Sequence, residues 1–446
     1  MKKIRFLASI CIVIMLTTSC GDSSQHANNI TSNNSSLNID SSSGKLILSL
    51  PVYYGAIVTD IESFKAKNPD IELEIRALID ESNYKDPEVW NSVLSNYLSQ
   101  MSVEIMSGSD VDIFETSNLS YYKYASSGVF KDLYPYMNSD QSFNMDDYYT
   151  NIFEALSYDD KLCVMPGHIM YDLVRINSNY SGQIVPEAKG IDYKELAALY
   201  NQISDPKVDF SRLNSASYNL FARSEFVDYI DPFNRKASFN SNDFYDFLGF
   251  SKKYLNWNPD VSPFDCNIIN DGNSPWFINA YSFDLYTLLE NSDDVTRPLL
   301  LKSSQGKNVF SIRGGVYSIS SFSKNKQLAW DFIKFLISEK DYPFDKYTSL
   351  NDYVYNIDQY IGYVPINKNN FKTVAKQILG ERYNRDVSKE VDYWDTINKS
   401  LNQVSFVDAT VEMLLADLKR EFIAGRLTEE EYALKLQEKL QIYLNE

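Results

Sequence analysis

KLILSLPVYYGAIVTDIESFKAKNPDIELEIRA, residues 45–77, is the stretch whose reading decides the fold. Lys45 to Leu50 is a short apolar strand, followed by a loop carrying Pro51, Tyr53, Tyr54 and Gly55. Ile57, Ile61 and Phe64 then recur at helical spacing, and the helix is expected to stop before Asn68-Pro69. Ile71, Leu73 and Ile75 alternate with other residues, as in a strand. A strand, a helix and a strand in succession predict a parallel sheet, with ligands received near the strand C-termini. Tyr53 and Tyr54 occupy such a position.

The pattern continues outward. The spacing predicts a second helix over Trp90 to Ser107, with Leu94, Tyr97, Leu98, Met101 and Ile105 on one face and Gly108 just past its end. Val111 to Phe114 reads as the next strand. A short helix follows from Tyr121 to Ser127, closed by Gly128, and residues 132–136 read as a surface segment. Lys161 to Met165 is a strand ending at Pro166-Gly167. The middle, 192–308, mixes helical pieces near Tyr193–Ile203 and Asp243–Leu255 with turns at Asn258-Pro259 and Asp271-Gly272. Val309 to Ile319 is strand-like around Arg313-Gly314-Gly315, and Lys326 to Ser338 is an amphipathic helix. Val411, Leu414, Leu415, Leu418 and Phe422 form a helix stopped by Gly425. Thr428 and Glu431 make a capping box for a last helix.

The other end of the chain sets its location. Lys2, Lys3 and Arg5 precede an apolar run from Phe6 to Leu16, then Thr17, Thr18, Ser19 and Cys20. This is the layout of a secretory signal, and the run is too short to span a bilayer, which needs about 20 residues. The cysteine directly after the small residues resembles the bacterial lipobox, with Thr17 where an apolar residue is usual. Residues 1–19 are therefore expected to be a lipoprotein signal peptide and Cys20 the lipidated residue. Residues 20–44, rich in Ser, Asn and Asp, are expected to be a disordered tether, because they bury too little apolar surface to offset chain entropy. The body is expected to lie outside the cytoplasm, anchored to the bacterial cell membrane.

Composition narrows the chemistry. The chain has 446 residues and a net charge of −18, which points away from nucleic acid as a partner. Of its two histidines, His26 lies in the tether and His168 in the body, so His-rich zinc sites are removed and a Ser-His-Asp triad is weakened. No P-loop, G-x-G-x-x-G fingerprint or zinc spacing is present. No cofactor or metal is expected, and neither is catalysis. Cys163 and Cys266 are expected to be buried thiols rather than a disulfide. The 33 tyrosines suit stacking on sugar rings, although an AT-rich genome would enrich tyrosine as well.

Five stretches carry a family resemblance. They are Ile61–Ile71 with its Asn-Pro-Asp stop; Glu104–Phe114 continued by Tyr124–Gly128 and Asp132-Leu133; Asp160–Pro166 with Asn177 beyond; Gly315–Lys324 leading into Ala329–Leu336; and the final helix pair. In this order they resemble the extracellular solute-binding proteins of bacterial ABC importers, in the sugar-binding branch that includes maltose-binding protein. Two departures concern ligand identity: Asp110-Val111 where Gly-Pro is frequent, and Asn273–Asn279 in place of a small-residue and Met stretch.

The resemblance implies an α/β, periplasmic-binding-protein-like fold: two α/β lobes, a ligand cleft and multiple hinge crossings. It implies lobe one at 45–167 and 313–360, and lobe two at 168–308 and 361–446. It further implies a monomer that captures a carbohydrate, an oligosaccharide, by lobe closure and delivers it to ABC transporter permease subunits. A sugar cleft needs flat aromatic faces and planar polar groups. The loop positions that fit are Tyr53, Tyr54, Thr116, Asn118, Tyr121, His168, Tyr171, Trp257, Trp276, Asn279, Arg313 and Tyr363, with Trp276 on an expected loop of lobe two. Core or surface packing is the competing role for each aromatic, and an ion pair for Arg313. Three other functions stay open on the residues alone: binding of a peptide or polyamine by the same fold, a polysaccharide-acting surface enzyme, and a sensor partner.

Overall fold

Leu46, Leu48 and Leu50 point into one apolar cluster and Ile47 into another, so the first strand is buried on both faces. This is the period-two signature of a strand inside a covered sheet. The computed structural model describes residues 44–52, 56–79, 90–176, 190–202, 215–254, 276–279, 299–312, 315–340, 364–383, 387–406 and 409–446. The signal, Cys20 and all of the tether but Gly44 lie outside them.

In chain order the strands are β1 (Lys45–Leu50), β2 (Glu72–Ala77), β3 (Ile113–Glu115), β4 (Met165–Pro166), β5 (His168–Ile169), β6 (Leu173–Ile176), β7 (Gly190–Ile191), β8 (Ile230–Asp231), β9 (Lys236–Ala237), β10 (Trp276–Asn279), β11 (Leu299–Leu301), β12 (Val309–Phe310), β13 (Val316–Ile319), β14 (Val364–Pro365) and β15 (Gln403–Val404). A five-stranded sheet has the order β2-β1-β3-β13-β4, with β1 parallel to β2 and β3, and β13 antiparallel to β3 and β4. A four-stranded sheet has the order β10-β6-β11-β7.

Helices cover both faces of the first sheet. On one face Phe64, from helix Ala56–Lys67, meets Phe332 and Phe335 of helix Lys326–Ile337 edge to face at 4.9 and 5.4 Å. On the other, helix Trp90–Met106 buries Leu94, Tyr97, Leu98, Met101 and Ile105. The local stop signals act as expected: Gly128 and Gly425 take left-handed φ of 73° and 69°, and Thr428 and Glu431 form the capping box.

The structure differs from the sequence reading at three places. Residues 132–136 do not form a surface segment: Leu133 is fully buried and Tyr134–Ser139 is a short helix with Pro135 in its first turn, where proline is tolerated. Val309–Ile319 is not one strand but two, β12 and β13, belonging to different sheets. Trp276–Asn279, read as loop, is β10, an edge strand pairing antiparallel with β6.

Three chain passages run side by side between the two sheets. Gly167 N–H donates to Gly315 O at 2.9 Å, and Ile366 N–H donates to Gly167 O at 3.3 Å. Met170 and Ser311 exchange both backbone bonds at 2.9 and 2.6 Å, and β5 pairs with β14. The passage at 165–170 is therefore flanked by 311–312 with 315–316 on one side and by 364–366 on the other, and is hydrogen-bonded to both.

Candidate functional site

The C-terminal edge of the parallel strands carries the residues after β3, and it lies beside these passages. Thr116 is buried there. Its amide donates to Val316 O at 2.7 Å and its Oγ1 to the same oxygen at 3.2 Å. This ties the end of β3 to the start of β13. Asn118 is half-buried in the turn that follows, which Leu119 N–H closes onto Thr116 O at 2.9 Å.

Tyr121 opens helix Tyr121–Ser127 and is buried, with its ring edge-on to Tyr122 at 6.0 Å. Its hydroxyl has no hydrogen-bond partner among the described residues, and burial pushes the phenol far above its ordinary value.

His168 and Tyr171 follow the Gly167 crossing. His168 is buried in β5, opposite Pro365. Burial, helped by the nearby charge of Lys340, pushes its imidazole down to about 3, so it is neutral. Lys340 in turn holds both oxygens of Asp60 at 2.7 Å. Tyr171 is buried too. Its hydroxyl donates to Asn398 Oδ1 at 3.0 Å, and its ring is stacked with Trp394 at 6.4 Å.

In the second sheet, Asn279 stands opposite Leu173, close to where the chain leaves the crossing, whereas Trp276 stands opposite Ile176. Three residues of strand separate them, or about 10 Å. Tyr53, Tyr54, Trp257, Arg313 and Tyr363 lie outside the described residues. So the structure brings Thr116, Asn118, Tyr121, His168 and Tyr171 to the region of the strand ends and crossings, with all but Asn118 buried.

Sequence reasoning missed Glu115. The last residue of β3 is buried and shares the strand face of Ile113. Its Oε1 accepts from Val316 N–H at 3.1 Å, from Ser117 N–H at 3.2 Å and from Ser117 Oγ–H. Its Oε2 has no hydrogen-bond partner among the described residues. Burial pushes the carboxyl up to about 7 against these donors. The signal was an acidic residue directly after the apolar pair Ile113-Phe114 of a strand. Also missed was the buried pair in which Arg223 Nε and a terminal nitrogen donate to the two oxygens of Asp172 at 3.1 and 2.8 Å, just past the crossing.

Among the described residues no group of three or more His, Cys, Asp or Glu could hold a metal ion, and no helix is long and apolar enough to cross a membrane. Cys163 is a buried free thiol, and burial pushes it up to about 11. Cys266 lies outside the described residues.

No family model matches the sequence, and no curated protein does. Solved structures match in fold along nearly the whole body. MalE, the sugar-binding protein of Xanthomonas citri, superposes with a TM-score of 0.55 at 12% identity, covering 90% of this chain and 97% of that one. The ABC substrate-binding protein Lmo0181 of Listeria monocytogenes, solved with cycloalternan, gives 0.53 at 14% identity, covering 90% and 99%. The cyclic alpha-maltosyl-1,6-maltose binding protein of Arthrobacter globiformis gives 0.52 at 14%, covering 90% and 98%. The chain therefore has the α/β fold of the periplasmic-binding-protein class.

Proposed function

We propose that this protein is the extracytoplasmic solute-binding component of an ABC importer, held at the membrane by a lipid on Cys20, and that its ligand is an oligosaccharide. The observation that carries this reading is the ladder of three adjacent passages between two α/β sheets, in a fold shared with sugar-binding proteins over 90% of the chain. Side-by-side passages let two bodies rotate about one axis, as closure over a ligand requires. Ligand drives that closure only by touching both bodies.

In this reading lobe one is 45–167 with 313–360, and lobe two is 168–308 with 361–446. The protein works as a monomer and delivers its sugar to the permease subunits without turning it over. Asn118 supplies a half-exposed amide at the strand edge of lobe one. Tyr53, Tyr54, Trp257, Trp276, Asn279, Arg313 and Tyr363 are the further candidate contacts. The buried Thr116, Tyr121, His168 and Tyr171 shape the crossing beneath the ligand.

A thermal-shift screen of the mature chain tests this, because a ligand that binds only the native state raises stability with concentration. Mono- and oligosaccharides are set against peptides and polyamines. Stabilisation by an oligosaccharide is the expected result. Stabilisation by a peptide or polyamine alone would replace the ligand class.

A further inference from the structure

Val103, Met106 and Phe322 are large apolar side chains that remain 68, 56 and 50% exposed. Val103 and Met106 are one turn apart on helix Trp90–Met106, so they share a face. Phe322 lies against the end of the same helix. A Cβ on Gly108 would sit 3.2 Å from its ring, and Gly108 adopts φ +71°. A glycine there both ends the helix and admits the phenylalanine.

Phe322 is displayed by a pinned turn. Ser320 N–H donates to Asp112 O at 2.9 Å, Ser321 N–H to Val129 O at 2.8 Å, and Phe322 N–H to Ser320 Oγ at 3.2 Å. Ser323 Oγ donates to Asp112 Oδ1 at 2.5 Å, and Asp112 Oδ2 accepts from Ile47 N–H at 2.9 Å. The ring is held outward rather than left loose.

The charge around the patch is basic, in a chain of net charge −18. Lys324 is exposed, while Lys131 and Lys326 are half-buried and close enough for Lys131 to oppose the charge on Lys326. Three nearby acids are engaged, while Glu72, at the same sheet edge, is exposed and pairs with Lys45 at 3.2 Å. Asp110 is held by two nitrogens of Arg76 at 2.7 and 3.0 Å, Glu104 accepts from Ser49 Oγ at 2.9 Å, and Asp112 is buried.

The patch also sits where the N-terminal segment enters. Asp112, Ile47 and Ser320 are level across β3, β1 and β13. Gly44 lies three residues beyond Ile47, and Phe322 two beyond Ser320, so both project past the same edge of the sheet. Between Cys20 and Gly44 the sequence holds 23 residues, rich in Ser and Asn.

We propose that Val103, Met106 and Phe322, with Lys131, Lys324 and Lys326 around them, form a surface that rests on an anionic phospholipid bilayer. The apolar side chains enter the headgroup boundary and the lysines meet phosphate. The proposal builds on the anchoring of Cys20, which holds this edge near the membrane and raises the local lipid concentration.

The test uses the unlipidated mature chain carrying Cys20→Ser, so that it reads the surface and not the anchor; fractionation of cells carrying Met106→Ser and Phe322→Ser, with and without Cys20→Ser, reads the anchor. Flotation is measured against vesicles of phosphatidylglycerol with phosphatidylcholine, and against phosphatidylcholine only. The expected result is salt-sensitive binding to the anionic vesicles, weakened about tenfold or more by Met106→Ser with Phe322→Ser. Replacing the three lysines by glutamine weakens it by a similar factor, about fivefold per lysine at most. Melting temperatures of these surface variants stay near that of the parent. No flotation at any lipid concentration overturns the proposal. So does equal binding to both vesicle types, or variants that alter only self-association, which would make a second copy the occupant.

Discussion

Lys123 places its ammonium 3.5 Å from the centre of the Tyr443 ring, and the Tyr443 hydroxyl shares a hydrogen bond with Ser120 Oγ. The two sides of this contact belong to different parts of the fold. Helix Tyr121–Ser127 follows β3 of the five-stranded sheet, whereas Tyr443 lies in helix Glu429–Asn445, whose Gln437 and Gln441 side chains bond β9. Tyr122 against Phe233 and Phe406, and Tyr158 stacked on Phe233 at 4.6 Å, extend the same seam.

On the proposed boundaries this seam joins lobe one to lobe two, and the proposal that the lobes close over ligand makes it a contact of the closed arrangement. Tyr443→Ala is expected to weaken ligand affinity about three- to tenfold, from a cation–π contact and a hydrogen bond lost only in the closed state. Small-angle scattering of the ligand-free variant should show a larger radius of gyration than the parent. Unchanged affinity and size would make the contact a mere neighbour of the hinge.

Glu115 and His168 give opposite pH dependences. The Glu115 carboxyl titrates near its ordinary 4.5 when unfolded and at about 7 when folded. Between these values the native state keeps a proton that the unfolded chain has released, so this group's stability is present below about 4.5 and is lost as pH rises to about 7. His168, at about 3 folded against 6.5 unfolded, contributes stability above 6.5 that is lost as pH falls towards 3. Glu115→Gln should remove the first slope. Urea unfolding at about pH 5 and about pH 8 should show the variant gaining up to about 3 kcal/mol relative to the parent at the higher pH. Parallel curves would mean that Glu115 is ionised in the fold.

Arg223 and Asp172 form a bidentate pair that is nearly out of water. Arg223→Ala leaves the Asp172 carboxylate buried without that partner and should destabilise the chain by about 3–5 kcal/mol. A urea midpoint within error of the parent would show that water replaces the guanidinium.

What was legible in the sequence was mostly local. The Asn68-Pro69 stop, Gly128, Gly425 and the Thr428–Glu431 box each act within a turn or two of chain, so their residues suffice to read them. The strand at Lys45–Leu50 likewise was readable from its own apolar run. The environment of Glu115 was not legible, because a donor that holds it, Val316 N–H, is 201 residues away. The division of Val309–Ile319 between two sheets also depends on distant partners, β15 for one half and β3 and β4 for the other. Trp276–Asn279 became a strand because β6 was available to pair with it.

Trp276 separates the binding account from a packing account. As a ligand contact, its truncation should cost about 1–3 kcal/mol of affinity, roughly tenfold or more, with little change in the unliganded melting temperature. As a core residue, its loss should lower the melting temperature sharply through the cavity left behind. Both quantities are measured on one Trp276→Ala sample, and unchanged affinity removes it from the site.

The most direct test of carbohydrate capture is calorimetric titration of the mature chain with the oligosaccharide that stabilises it most, with the sugar recovered afterwards and chromatographed. The account predicts saturable binding at one site per chain and recovery of the intact sugar. Absence of binding to any carbohydrate, or recovery of cleaved products above a buffer control, would contradict it.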